Sequence, residues 1–258
     1  MKSRGSYFAL AAFLALAGCK GSGQQAGAPE AQPQQEAKSP VDPATAASIS
    51  GTVKFTGVKP KAQKISMKAE AFCQTAHTTD VFAEDVVVNA NNTLKYVYVY
   101  VKSGLSPDLK FPVPTEPAVF DQQGCIYHPH VLAVQTGQTV LVRNSDNVLH
   151  NVNVKPTKNQ GFNFGQPVQG METKKSFSTA EVMIPAKCDV HPGMKAWMGV
   201  QNHPFAAVTG DDGSFSLNNL PPGEYEIEAW HEKYGTSTQK VTVGAKETKS
   251  ITFTFKGA

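Results

Sequence analysis

The sequence predicts an all-β protein built from antiparallel sandwiches. Short runs rich in β-branched and aromatic residues recur along the chain, for example residues 94–101 and 225–230. Turn-forming groups such as Asp211-Asp212-Gly213 and Pro221-Pro222-Gly223 separate such runs closely. After the first 18 residues, no 12-residue window has the apolar period of an amphipathic helix, although residues 64–76 could form a short one.

Residues 1–18 have the pattern of an export signal. Lys2 and Arg4 precede an apolar run over residues 7–16, which is too short to remain as a membrane-spanning helix. The run ends in Leu16-Ala17-Gly18-Cys19, which resembles the bacterial lipobox. This resemblance implies a lipoprotein with lipidated Cys19, anchored to a cell-envelope membrane and facing the periplasm or the exterior. Ordinary secretion with an incidental Cys19 is the alternative.

Residues 19–47 are predicted to be a disordered tether. They are rich in Gln, Ala, Pro, Gly and Ser, and Val41 is their one aliphatic residue besides the alanines. A flexible coil of the 28 residues that follow Cys19, residues 20–47, has a root-mean-square span of roughly 30 Å, so we expect the tether to provide reach. Removing the signal lowers Lys plus Arg from 24 to 22 against 21 acidic residues, a net charge of +1. This balance gives no electrostatic basis for binding nucleic acid.

Residues 48–116 are predicted to be an amino-terminal β region. Residues 48–57, 85–90 and 94–101 have strand composition, and the turn over residues 89–93 predicts a hairpin between the last two. Four prolines in residues 105–117 indicate an irregular connection and a domain edge. The region can pair with the carboxyl-terminal part of the chain.

One stretch of the chain carries the residues of a metal site. Cys188, His191 and Met194 follow one another at intervals of three, and Pro192-Gly193 supply the tight turn that lets them converge. His150 ends a strand-like run 38 residues upstream and adds a second imidazole. Two His and one Cys with a weak axial Met are the ligands of blue-copper sites, so we expect one copper ion. Packing of these residues in a core is the alternative.

Residues 117–203 resemble the cupredoxins on this loop, with amicyanin-like ligand spacing, and on the pair His150-Asn151. The resemblance implies a Greek-key β-sandwich in which the Asn151 side chain ties the two ligand loops together. It also implies electron transfer by Cu(II)/Cu(I) cycling with a redox protein partner in the cell envelope. We expect His191 to be the electron port, with Trp197 and Met198 in an apolar rim around it. Met198 is also the competing candidate for the axial ligand.

The remaining cysteines and histidines offer alternatives to this single site. Cys73 and Cys125 are left over in an oxidising compartment, so a disulfide is the economical interpretation. A second metal site with nearby His77, or two free thiols, are the rivals. Other histidines that could join a metal site, more readily explained as structural or surface groups, are His128, His130, His203 and His231. Pro129 is expected to place His128 and His130 on one face.

Residues 204–258 contain two motifs in close succession. They are Thr209-x-x-Asp212-Gly213-x-Phe215 and the run 220–225, Leu-Pro-Pro-Gly-Glu-Tyr. These motifs resemble the carboxypeptidase regulatory-like or transthyretin-like β-sandwich, a smaller module that is usually accessory. The run Gly51-Thr52-Val53 resembles that module's first strand, so the copper domain either precedes the module or is inserted in it.

Four functions follow from these patterns. The first is a membrane-anchored electron-transfer protein with one copper. The second is a copper-binding or delivery protein, for which Met171, Met183 and Met198 would matter. An enzyme is not expected, because the seven histidines contain no closely spaced pair besides His128 and His130. A structural β-protein with a vestigial site is the fourth.

Overall fold

The computed structural model describes residues 40–68 and 70–257 of the 258-residue chain. The export signal, Cys19 and most of the tether lie outside these residues. Within the described part of the chain the fold is nearly all β, which confirms the predicted class. No helix in this part is long and apolar enough to cross a membrane. In chain order, the elements of the described residues are β1 (Ala47–Thr56), α1 (Ala71–Thr75), β2 (Tyr98–Ser103), β3 (Ala118–Gln123), β4 (Ile126–His128), β5 (Val131–Gln135), β6 (Val140–Asn144), β7 (His150–Val154), β8 (Phe162–Gln166), β9 (Glu172–Lys175), β10 (Glu181–Lys187), β11 (Lys195–Gln201), β12 (Ala206–Val208), β13 (Ser214–Leu220), β14 (Gly223–His231), β15 (Gly235–Val243) and β16 (Thr248–Lys256).

Strands β3 to β11 form the central sandwich. One sheet has the order β5-β11-β10-β7-β8 and the other the order β4-β3-β6-β9. Alternate residues of the two sheets face one core, in which Phe120 and Tyr127 stack with ring centroids 4.7 Å apart. Antiparallel pairing of β7 with β10 brings the strand that begins at His150 beside the strand that ends before Cys188.

The terminal sandwich combines strands from both ends of the described chain. Its sheets have the orders β13-β1-β16 and β12-β2-β14-β15. Strand β1 pairs in parallel with β16 and antiparallel with β13, while β2 lies between β12 and β14. The core between the sheets is aliphatic and aromatic, with Ile49, Leu217 and Phe253 fully buried. The strands of the central sandwich therefore lie in sequence between β2 and β12 of the terminal one.

The two sandwiches meet through a third cluster of buried side chains. Tyr98 and Tyr100 of β2 pack there with Val131 and Met183 of the central sandwich. Trp197 and Trp230, one from each sandwich, meet edge to face with ring centroids 5.1 Å apart. The backbone of Gly199 lies against the Tyr98 ring, where an added Cβ would be 2.4 Å from Cζ. Aromatic side chains thus fill the contact between the sandwiches.

Several local expectations differ from the structure. The helix covers only Ala71–Thr75, and Lys64 instead bridges Phe82. Of the predicted hairpin over residues 85–101, only the turn and one bridge near it form, and β2 begins at Tyr98. Strand β8 forms in a Gly- and Asn-rich stretch, and pairing along β7 supplies its backbone hydrogen bonds. Val41, in the predicted tether, is 7% exposed and packs into the terminal core.

Candidate metal centre

The ligand loop is held in shape by its own backbone. The Cys188 N–H donates to the Met194 carbonyl (3.1 Å), and the Met194 N–H donates to the His191 carbonyl (3.0 Å). The His191 N–H donates to Cys188 Sγ (3.3 Å), a bond that stabilises a thiolate. Pro192 and Gly193 form the turn between His191 and Met194. The loop closes tightly at the end of β10 and returns the chain into β11.

Three side chains predicted as ligands converge on one point. The Nδ1 atoms of His150 and His191 are 3.1 Å apart, and Cys188 Sγ is 3.7 Å from His191 Nδ1. One ligand atom from each of the three lies within 4.8 Å of the others. Their exposed fractions are 0% for His150, 4% for Cys188 and 7% for His191. Metal–nitrogen and metal–sulfur bonds of about 2.0 and 2.3 Å fit these separations, so a single transition-metal ion can be held here.

The electrostatics of the site favour metal-binding protonation states at two of these residues. Burial raises the pKa of the Cys188 thiol, but hydrogen bonds from His150 and from backbone N–H groups bring that pKa below its ordinary value. Burial and the neighbouring His150 lower the pKa of His191. Burial also lowers the pKa of His150, but hydrogen bonds with Asp146 and Cys188 outweigh burial and raise it. Metal binding requires the thiolate and the unprotonated imidazole, so Cys188 and His191 are already biased toward it.

The two methionines considered as axial ligands occupy different places. Met194 lies in the ligand loop and is fully buried in the same core as Cys188. Met198 is also fully buried, but it lies inside β11, opposite Ile184 of β10. A strand advances about 3.3 Å per residue, which puts Met198 roughly 13 Å along the chain from Met194. Met194 is thus the methionine carried by the loop itself.

Asn151 connects the two ligand-bearing segments, as the resemblance implied. Its Oδ1 accepts the N–H of Asp189, the residue after Cys188 (3.1 Å). Its Nδ2 donates to Asn163 Oδ1 (2.6 Å) and to the Phe164 carbonyl (3.1 Å) on β8. The side chain therefore joins the start of β7 to the ligand loop.

The surroundings of His191 differ from the expected apolar rim. Met198 points into the core, and Trp197 points toward the terminal sandwich, because successive strand residues face opposite sides. His191 Nε2 is instead buried without a hydrogen-bond partner among the described residues. Ile65 lies over the turn, where a Cβ on Gly193 would be 2.3 Å from its Cγ2. Met67 and Glu70 line the small cavity of about 20 Å³ beside His191.

The structure joins Cys73 to Cys125 in a disulfide, so the disulfide prediction is confirmed and its thiol and metal rivals are wrong. The bond attaches α1 to the turn between β3 and β4. Sulfur atoms of this disulfide lie within 4.8 Å of a ring nitrogen of His191. The disulfide is therefore a neighbour of the candidate metal site as well as a covalent link.

The other histidines do not join the His150, Cys188 and His191 group. His128 is exposed while His130 is buried, so the expectation that both share one face is wrong. His130 Nε2 contacts the Glu232 carboxylate, and its Nδ1 lies 3.2 Å from the Lys195 carbonyl. His203 Nε2 bonds the Val101 carbonyl (3.0 Å), and His231 stacks on Tyr234. These partners show side chains satisfied by packing and hydrogen bonds.

Asp146 is a residue of the site that sequence reasoning missed. Residues 144–147 are typical of a turn, and that role accounts for an Asp there. In the structure its Oδ2 lies 2.8 Å from Nε2 of His150. The only local signal was an acidic residue four positions before a candidate ligand, which is too common to single out.

Residues 199–256 match the carboxypeptidase regulatory-like domain family, which confirms the module predicted for the end of the chain. Solved structures similar to the chain include cupredoxins. A purple cupredoxin from Nitrosopumilus maritimus is 21% identical, with 33% of this chain and 99% of that chain covered and a TM-score of 0.28. A mutant of amicyanin in its Cu(I) form is 19% identical, with 40% and 98% covered and a TM-score of 0.30.

A copper-containing nitrite reductase from Thermus scotoductus SA-01 is also similar, at 19% identity and a TM-score of 0.32. The match covers 38% of this chain and 25% of the reductase, so the chain spans about a quarter of that enzyme's length. No curated protein matches the chain.

Proposed function

We propose that the chain is a mononuclear copper protein of the cell envelope that transfers electrons by Cu(II)/Cu(I) cycling. The observation that carries the proposal is the convergence of His150, Cys188 and His191 within 4.8 Å at buried positions. A soft thiolate stabilises Cu(I), and imidazoles bind copper in both oxidation states. Met194 is proposed as the weak axial ligand, and Asn151 as the residue that holds the ligand loops together.

Burial of the ligands favours electron transfer over copper delivery. A delivery protein must hand over its ion, which requires ligands that a partner can reach. Here the three ligands are at most 7% exposed, and each is fixed by hydrogen bonds within the chain. A rigid, enclosed site suits a metal that stays bound while its charge changes. The chain is not proposed to be an enzyme, and its partner would be a redox protein of the same compartment.

Copper loading of the wild type and of Cys188→Ser tests the function. The wild type should show an intense thiolate-to-copper absorption band and the EPR signal of one Cu(II). Cys188→Ser should lose the band and most of its copper affinity, because Ser lacks the soft donor, while the sandwich stays folded. His128→Gln is the control, since His128 is an exposed histidine outside the site. Copper binding by the wild type without this band would contradict the assignment, and equally tight zinc would favour a structural site.

The same series assigns the axial ligand. Met194→Leu should keep the absorption band but raise the reduction potential, because Cu(II) loses more from removal of an axial donor than Cu(I) does. Met198→Leu is the matched control, as it makes the same change in the interior of β11. A potential that moves only in Met198→Leu would transfer the axial role to Met198.

Anchoring through lipid at Cys19 is proposed from the lipobox-like motif alone. Cys19→Ser should move the protein from the membrane fraction into the soluble fraction of cells. Unchanged dependence on detergent for extraction would show that another segment holds it.

A further inference from the structure

Asp146 forms an unusual set of contacts next to the metal site. It lies in the turn between β6 and β7 and is 3% exposed. Its carboxylate accepts the N–H of Gly124 (2.7 Å) and of Cys125 (2.8 Å), the turn that carries the disulfide. Its own N–H donates to Oδ1 of Asn144 (2.9 Å). These bonds leave the carboxylate little freedom to rotate, so its position relative to His150 is set by the fold.

The bond between Asp146 and His150 defines which nitrogen faces the metal. An ionised carboxylate only accepts hydrogen bonds, so Nε2 of His150 carries the hydrogen. Nδ1 is then the nitrogen available to a metal, and it is the atom that faces Nδ1 of His191 at 3.1 Å. The two imidazoles are thus not equivalent, because Nε2 of His191 has no such partner among the described residues.

We propose that Asp146 is a positioning residue that fixes His150 as an Nδ1 ligand and lowers the reduction potential of the bound copper. The proposal rests on the copper site proposed above. A carboxylate that shares the Nε2 proton makes the imidazole a stronger donor. Its negative charge, buried beside the site, also stabilises Cu(II) more than Cu(I), because the higher positive charge is attracted more strongly. Both effects act in the same direction.

Asp146→Asn tests the proposal, since it removes the charge and keeps the size of the side chain. Asp121→Asn is the matched control. The Asp121 carboxylate accepts the hydroxyl hydrogen of Ser145 in the same turn, with both of its oxygens 2.8 Å from Ser145 Oγ, but it is not bonded to His150. Copper-loaded Asp146→Asn should show a higher reduction potential than the wild type and roughly 10- to 100-fold weaker Cu(II) binding. Asp121→Asn should change both much less.

The metal-free protein gives a second measurement that does not depend on copper. In the wild type the buried Nε2 proton of His150 should appear in NMR spectra as a strongly downfield signal, because a charge-assisted hydrogen bond deshields it. In Asp146→Asn that signal should move upfield or disappear, and in Asp121→Asn it should stay. The inference requires both results, so an unmoved proton signal overturns it. A potential that shifts no more than in the control overturns it as well.

These measurements separate the inference from the proposed function. If the wild type fails to bind copper, the function is wrong, while the NMR signal still decides whether Asp146 holds His150. If copper binds with the expected band and Asp146→Asn behaves like its control, the inference alone is wrong. Should Asp146→Asn fail to fold, Asp146→Glu keeps the charge with a longer side chain. Its reduction potential should then stay close to that of the wild type, because the negative charge beside the copper is kept. A large rise would overturn the proposal.

Discussion

The central and terminal sandwiches are built from similar strands but bury different chemistry. The terminal core is formed by aliphatic and aromatic side chains such as Ile49, Leu217 and Phe253. Both sandwiches also bury polar side chains, such as His203 and His231 in the terminal one and Asn144 and Gln166 in the central one. A buried polar group lowers stability unless its hydrogen bonds are made, so a fold retains such groups where they have a use.

The buried polar groups of the central sandwich are connected to the site. Asn144 donates to the carbonyls of Val148 and Gln166 and receives the N–H of Asp146, which in turn holds His150. The terminal sandwich offers no comparable chain leading to a cluster of donors within the described residues. The comparison teaches that two sandwiches of one class can differ in what their buried polar groups do, because in the described part of the chain only those of the central sandwich lead to the His150, Cys188 and His191 group.

Removing the disulfide should have the largest effect on this comparison. The Cys73→Ala/Cys125→Ala double variant opens a link between residues 52 apart in sequence. We expect the free energy of unfolding to fall by about 4 kcal/mol, because the denatured chain regains entropy. Urea unfolding measures the loss. Hydrogen exchange then shows which sandwich loses stability, and amides of β6 and β7 should exchange faster than those of β14 and β15. Equal acceleration in both would show that the sandwiches unfold as one unit.

Acid should affect two buried histidines of the terminal sandwich and Glu181 of the central sandwich in different pH ranges. Burial lowers the pKa of His203 and of His231 to about 4. The folded terminal sandwich therefore prefers both rings neutral, and the unfolded chain binds more protons below pH 6.5. Their contribution is complete above about pH 6.5 and is lost as the pH falls toward 4, by up to about 3 kcal/mol for each. The free energy of unfolding, measured against pH, should fall in this range.

Glu181 of the central sandwich titrates lower. Burial raises its pKa, but hydrogen bonds from Thr157, Asn159 and Lys158 outweigh burial and bring the pKa to about 2. Its contribution to the free energy of unfolding is present above about pH 4.5 and is lost as the pH falls toward 2. Glu181→Gln should weaken the pH dependence of the free energy of unfolding below pH 4.5 and leave that above it. His203→Gln should weaken the pH dependence between pH 6.5 and 4, where His231 still contributes, and leave that below it. A profile unchanged in both variants would contradict the assignment.

The contact between the sandwiches should respond to a single methyl group. Gly199→Ala places a Cβ 2.4 Å from Cζ of Tyr98, so the buried Tyr98 ring or one of the strands β2 and β11 must shift. We expect a loss of about 1–3 kcal/mol in the free energy of unfolding, the usual effect of overpacking. Gly210→Ala is the control, because no atom lies within 4 Å of an added Cβ there. Equal effects of the two substitutions would show that the contact between the sandwiches accommodates the added methyl group at little cost in stability.

Much of the fold and the ligand set could be predicted because the signals are local. The alternation of residues 225–230 and the Asp212-Gly213 turn act over a few residues, so strands and turns follow from short stretches. The spacing of Cys188, His191 and Met194 is equally local, since one tight loop brings them together. The disulfide followed by elimination, as only Cys73 and Cys125 were left without another role.

Contacts between distant parts of the chain were decided only by the tertiary structure. Composition marked β1 as a strand, but only its pairing with β13 and β16 shows which sheet it completes. The residues that lie over the His191 turn include Ile65 and Met67, more than 120 residues away in sequence, and no local pattern predicts this contact. Asp146 looks like any turn residue until β7 places His150 against it. By itself the sequence determined most of the strands, the turns and the ligand loop, because each depends on neighbours in the chain. Sheet order, the burial of the site and the partner of each imidazole depend on residues that meet only when the sandwiches close.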